Sequence, residues 1–145
     1  MNQTVSSTPP LPVNRSMPGC SVIPVLAYPD VRAAVEWLGQ AFGFTERLRI
    51  GDHRAQLSFN GGAVVITGPA KAATDATHAV LVRVADVDSH HERAKKCGAM
   101  IMHVPADHRY GERQYSATDP GGHIWTFSQT IADADPRTWG GELQE

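Results

Sequence analysis

The densest grouping of acid, base and guanidinium in this chain is Tyr110-Gly111-Glu112-Arg113, followed by Asp119-Pro120-Gly121-Gly122-His123-Ile124-Trp125. A carboxylate and an imidazole can pass protons, and a guanidinium suits anionic or planar groups. Arg113, in a loop that leads into a strand, is the strongest polar candidate for a ligand contact; a pair with Glu112 or another acid is the alternative use of its charge. His123 follows a turn, where a capping or orienting role is expected. The other histidines do not assemble from the sequence. His90 and His91 are adjacent on a helical stretch and diverge by about 100°, and His91 shares a face with Lys95, which suggests a solvated surface. His103 and His108 flank a loop. No Ser lies in a Gly-x-Ser-x-Gly elbow, and no glycine-rich phosphate loop is present. Cys20 and Cys97 are isolated and form neither a zinc motif nor a disulfide framework. Asp86 and Asp88 open a helix, where they complement its dipole.

These residues need elements to hold them. Ser21 to Tyr28 is a β-prone run interrupted by Pro24. Asp30 stands as an N-cap, and Val31, Ala34, Val35, Leu38, Ala41 and Phe42 recur at helical spacing until Gly43. Phe44 to Ile50, Arg54 to Phe59 and Ala63 to Thr67 read as strands, separated by Gly51-Asp52 and Asn60-Gly61-Gly62. The second half repeats the order: a strand from His78 to Val84, a helix from Val87 to Cys97 capped by Asp86, and strands over Met100 to Val104, Gln114 to Thr118 and His123 to Phe127. Asp30-Val31 and Asp86-Val87 lie 56 residues apart (86 − 30), and the Gly-Gly turns 60 apart (121 − 61). The difference places a short insertion at His103 to Tyr110.

Two tandem βαβββ units follow, an α+β architecture. The expected bounds are an N-terminal disordered tail over 1–20, a first module over 21–69, a linker over 70–76, a second module over 77–130 and a C-terminal tail over 131–145. One such unit has too small a core to stand alone. Two units sharing a curved mixed sheet enclose a cleft suited to a small molecule.

Composition narrows the classes. With 145 residues, 41% hydrophobic, 19% charged and a formal net charge of −2, the chain has neither the charge nor a basic run for nucleic acid. No run spans a bilayer and no signal-peptide core is present, so a cytoplasmic setting is expected.

The run Pro24-Val25-Leu26-Ala27-Tyr28-Pro29-Asp30, with Ala41-Phe42-Gly43-Phe44, Val84-Ala85-Asp86-Val87-Asp88 and the Tyr110-to-Trp125 motifs, resembles the vicinal oxygen chelate superfamily. That superfamily holds glyoxalase I, extradiol dioxygenases, fosfomycin-resistance enzymes and bleomycin-resistance proteins. The likeness is greatest to the glyoxalase/bleomycin-resistance branch, over roughly Val22 to Phe127. It implies paired modules in a homodimer, with a divalent metal held by His, Gln or Glu on first and last strands. Counted from the capping Asp and the turn glycines, those positions fall on Ile23, Ile66, Ala79 and Thr126. Ile and Ala offer no donor atom, and Thr is a weak one. His78 is one residue from the expected place and would point to the opposite strand face.

The resulting expectation is a metal-independent, cofactor-free binding protein of the bleomycin-resistance kind. It would sequester an aromatic or amphipathic compound, as an antibiotic-resistance protein does, in a dimer cleft. Phe59, Tyr110, Arg113, Tyr115, Ile124 and Thr126 are the expected ligand contacts; by family parity Ile124 and Thr126 face the cleft while Trp125 packs behind the sheet. The alternatives are a glyoxalase-like lyase or isomerase with a displaced metal site built from His78, Glu112 or the loop histidines, and a non-catalytic structural dimer. Trp139, unusual in so polar a tail, is expected to dock on its own domain or on a partner.

Overall fold

Asp30 and Asp86 each start a helix by the same device. Their backbones are extended and their side chains accept from the amides of Ala33 and Ser89, meeting one of the unpaired donors at each helix start. The first helix, α1, covers Val31–Phe42 and ends at Gly43, whose φ of 87° is the left-handed conformation that stops a helix. The second, α2, covers Val87–Lys96. These elements come from a computed structural model that describes residues 11–72 and 78–144. Most of the expected linker and the first half of the expected N-terminal tail lie outside the described residues.

The strands are β1 (Val25–Ala27), β2 (Thr45–Ile50), β3 (Arg54–Phe59), β4 (Gly62–Thr67), β5 (Val80–Arg83), β6 (Met100–His108), β7 (Glu112–Thr118) and β8 (Ile124–Thr130). They form two four-stranded mixed sheets in the orders β1-β4-β3-β2 and β5-β8-β7-β6. The outer pair in each, β1 with β4 and β5 with β8, runs parallel through the helix crossover, and the rest are antiparallel. This is the two-module α+β arrangement expected from the repeat.

The expected insertion at His103 to Tyr110 is mostly strand. β6 continues to His108 and absorbs its extra residues as register irregularities between Ile101 and His103 and between His103 and Ala106. A short 3-10 helix, Pro136–Trp139, follows β8, and Trp139 packs on Tyr110 with ring centroids 5.5 Å apart.

The core lies between the modules as well as within them. Phe42, at the end of α1, meets Trp125 at 5.4 Å and Phe127 at 4.7 Å on the second sheet. Beside them, Asp119 in the β7–β8 turn accepts from Tyr28 Oη at 2.5 Å, from Trp125 Nε1 at 2.9 Å and from the amides of Gly121 and His123. His123 Nε2 bonds the Ala27 carbonyl at 2.7 Å, in keeping with its expected orienting role. A Cβ on Gly121 would stand 2.3 Å from the Tyr28 ring, so the close approach needs glycine there.

The helical histidines depart from expectation. His90 and His91 are 7% and 8% exposed, not solvated. The fourth and fifth positions after the capping Asp face the sheet, and α2 spends both on histidine. Tyr115 Oη lies 2.6 Å from His90 Nδ1, and the Phe42 carbonyl lies 2.9 Å from its Nε2. Those partners make burial of the ring tolerable.

Candidate functional site

Pairing registers sort every strand residue to one of two faces. In the second sheet, Val82, Phe127 and Tyr115 share the helix side, while Leu81, Thr126 and Ser116 share the opposite, open face. The matching rows in the first sheet are Leu26, Ile66 and Ala55 toward α1, and Val25, Val65 and Gln56 away from it. Thr126 therefore corresponds to Val65. Counting from the turn glycines points instead to Ile66, which is 0% exposed in the core. The turns explain the slip: Gly62 already pairs with Phe59 in the ladder, whereas Gly122 sits in a longer turn closed by Thr118 and Ile124.

The open face of the second sheet is polar and connected. Tyr110 Oη donates to Gln114 Oε1 at 3.0 Å, Gln114 Nε2 to Ser128 Oγ at 2.9 Å, and Ser128 Oγ to Glu112 Oε1 at 2.6 Å. Ser116 and Thr126 hydroxyls are 2.8 Å apart, and Arg83 Nη2 donates to Thr130 Oγ1 at 2.9 Å. Burial alone would raise the Glu112 carboxyl pKa; hydrogen bonds from Ser128 and Thr130 and the charge of Arg83 outweigh it and hold the group below its usual range. Glu112 is thus an anion at neutral pH, already engaged as an acceptor. Leu81 and Met100, 62% and 70% exposed, flank this polar strip with apolar surface.

Leu81 and Arg83 also line a cleft of about 700 Å³ where the unpaired edge of β5 faces the start of β1 and the β3–β4 turn. Phe44, Phe59 and Val64 form its first-module wall, and Val80, Val82 and Thr130 belong to the second. A cleft of this size is large enough to hold a small molecule.

The six expected contact residues divide. Ile124 and Thr126 are on the open face, half-buried, and Phe59 lines the cleft with its ring 5.3 Å from Phe44. Tyr110 stands at the far end of the polar strip, stacked on His108 at 5.0 Å. Tyr115 is 0% exposed on the helix side, where burial pushes its phenol pKa up, and it is out of reach of a ligand on the open face. Arg113 holds Asp88 at 3.1 Å and Asp107 at 3.0 Å, tying α2 and β6 to β7. Its charge is spent on those acids, not on Glu112. Trp125 lies on the helix side with 0% exposure, as strand parity requires. Sequence reasoning misses Gln114, Ser116, Leu81 and Arg83, and also Ser128, which at 2% exposure is a buried link between Gln114 and Glu112. The period-two alternation of Gln114, Ser116 and Thr118 is the available signal for the first two.

The positions at which the fold holds a divalent metal do not fit one. Ile23, Val65, Ala79 and Thr126 together offer one hydroxyl, and a hydroxyl is a poor donor for such an ion. His78 is exposed ahead of β5. Among the described residues no group of three or more His, Cys, Asp or Glu side chains converges. No helix among them is long and apolar enough to cross a membrane.

Residues 22–127 match the profile of the Glyoxalase/Bleomycin resistance protein/Dioxygenase superfamily. The fold is similar to that of TioX from Micromonospora sp. ML1, 34% identical, with 78% of this chain and 100% of that chain covered and a TM-score of 0.65. A glyoxalase/bleomycin resistance protein/dioxygenase from Nocardioides is 21% identical, over 84% of this chain and 87% of that one, with a TM-score of 0.60. A mutant of the genomically encoded fosfomycin resistance protein FosX from Listeria monocytogenes, complexed with Mn(II) and 1S,2S-dihydroxypropylphosphonic acid, is 17% identical. The match covers 82% of this chain and 92% of that one, with a TM-score of 0.64. No curated protein matches in sequence.

Proposed function

We propose that this chain, which belongs to the Glyoxalase/Bleomycin resistance protein/Dioxygenase superfamily, binds and sequesters a small aromatic or amphipathic compound without a metal ion. The observation that carries this reading is the pairing of Thr126 with Ser116 and Leu81 at the centre of the open face, where a metal enzyme needs imidazole or carboxylate. Hydroxyls and an amide there offer hydrogen bonds, Leu81 and Ile124 offer apolar contact, and the adjoining cleft supplies room for a ring system against Phe59. Sequestration needs complementarity and no reactive group. The reading includes a homodimer in the cytoplasm, with the cleft completed by a second copy, and a role in resistance to a toxic compound.

A second reading has one observation in its favour. His108 and Glu112 are cross-strand partners, so two donors of a displaced metal site stand together, as a glyoxalase-like lyase or isomerase would require. Two donors short of a full chelate make it the weaker reading.

Metal analysis of protein purified without chelator separates the two: the sequestering reading expects no stoichiometric metal, and tightly held zinc, nickel, iron or manganese would sink it. A thermal-shift screen against aromatic natural products and peptide antibiotics then tests binding. A ligand at about 100 times its Kd should raise Tm by about 5 °C or more. No shift with any compound would remove the support.

A further inference from the structure

The face of the first sheet that corresponds to the candidate site is already occupied. Gln56 and Val65 stand where Ser116 and Thr126 stand in the second sheet, yet they are only 5% and 6% exposed, and neighbouring Ala63 only 9%. They lie away from α1, so the helix does not bury them. On this face the side chains of Gln56 and Arg47 are held by the main chain before β1. Gln56 Nε2 donates to the Ser16 carbonyl at 2.8 Å, and Arg47 Nη2 donates to the Arg15 carbonyl at 2.8 Å. Arg47 Nη1 also donates to Gln56 Oε1, which locks the two donors together.

Three local features shape this contact. Arg47 sits at the register irregularity of β2 between Glu46 and Leu48, and an extra residue at such a point re-aims a side chain. Asn14 folds the incoming segment, its side chain accepting from the Ser16 amide and its carbonyl from the Met17 amide, both at 3.0 Å. Pro18 follows and is buried. Arg15 and Ser16, in the stretch read from composition as tail, are thus in specific contact with β2 and β3. Two side-chain donors on successive main-chain carbonyls, beside a buried proline, hold a turn of main chain in one place.

We propose that the open face of the first module is a peptide-binding face, and that Asn14–Pro18 of the same chain is the peptide it holds. Tethering makes the contact intramolecular, so two hydrogen bonds and a buried proline suffice for high occupancy. The strap removes one of two repeated faces from use, and only the second module presents its face to other molecules. The proposal stands independently of what the second face binds.

Limited trypsin digestion of the full-length protein without ligand tests it at the Arg15–Ser16 bond, with cleavage after Arg137 as an internal control. A protease needs the segment to leave its seat before cleaving. The Arg47→Ala/Gln56→Ala double variant is expected to be cut at Arg15 at least tenfold faster than the wild type, with Arg137 cut at an unchanged rate. Asn14→Ala, which leaves the sheet untouched, should accelerate the same cut several-fold. Equal cutting at Arg15 in wild type and both variants overturns the proposal. So does protection of Arg15 that grows with protein concentration, since the strap would then come from a second copy.

Discussion

Ala55, Leu57, Val64 and Ile66 line the helix side of the first sheet; at the same register points the second sheet carries Tyr115, Ala117, Trp125 and Phe127. The helices reverse the bias. α1 brings Leu38 and Phe42 to the core, and α2 brings His90, His91 and Ala94. An aliphatic sheet under a helix that ends on a buried Phe sits beside an aromatic sheet under a helix whose largest buried side chains are histidines. Neither module fills its own interior, and Phe42 crosses to the aromatic rings of the second sheet. The repeat preserved the chain path while the volume was redistributed across the junction, so that the two halves share one buried cluster.

If that asymmetry is energetic, equivalent positions must respond unequally. Trp125→Ala removes a fully buried indole and leaves Asp119 Oδ2 short of a donor, so a loss of about 3–5 kcal/mol is expected. Val64→Ala, at the matching place in the first module, should cost about 2 kcal/mol. Urea unfolding with unchanged m-values would read both. Equal losses would mean that the two sheets carry the core alike, and the comparison would fail.

The next contrast is chemical. Where α1 has Ala34, four residues after its cap, α2 has His90. Burial, opposed by the hydrogen bond to the Phe42 carbonyl and reinforced by the charge of Arg93, lowers the His90 pKa to about 4. The groups facing it are Tyr115 from β7, Phe42 from α1 and Phe127 from β8. In the unfolded chain a histidine titrates near ~6.5, so between the two values the unfolded state binds the extra proton. Stability from this group is complete above about pH 6.5 and is lost as pH falls toward 4, by up to about 3 kcal/mol. Denaturant titrations at pH 7 and pH 4.5 should show that fall, and His90→Phe should flatten the slope whatever it does to absolute stability. A wild-type slope indistinguishable from that of His90→Phe would show the histidine to be neutral in effect.

How much of this is legible in the chain depends on the kind of signal. The caps Asp30 and Asp86, the stop at Gly43 and the turns at Gly61 and Gly121 are local devices, readable because one or two residues enforce each conformation. The helix histidines defeat a reading by residue type because position after the cap decides burial in so short a helix. The partners of His90, Tyr115 and the Phe42 carbonyl, lie 25 and 48 residues away. Ile66 passes for an open-face position because one residue of turn length inverts strand parity. The strap is hidden for a related reason: a polar, proline-rich segment reads as tail unless Gln56 and Arg47 are known to reach its carbonyls.

The smallest effect is the most telling about function. Thr126 and Val65 differ by a hydroxyl for a methyl at the centre of corresponding faces, one half-buried and one 6% exposed. Thr126→Val gives up the contact with Ser116 Oγ on a half-buried surface, a change of about 1 kcal/mol or less in stability. If the second face holds the ligand, the same substitution should weaken binding about tenfold, the value of one hydrogen bond. Val65→Thr adds a hydroxyl at a buried position, where it lacks water, and should cost about 1–3 kcal/mol of stability while leaving affinity unchanged. Calorimetric titration of both variants with a compound found by thermal shift reads the two affinities directly. Weakening by Val65→Thr alone would move the site to the first module and require the strap to leave on binding. Weakening by Thr126→Val alone leaves the strap in place and the second face as the one that works.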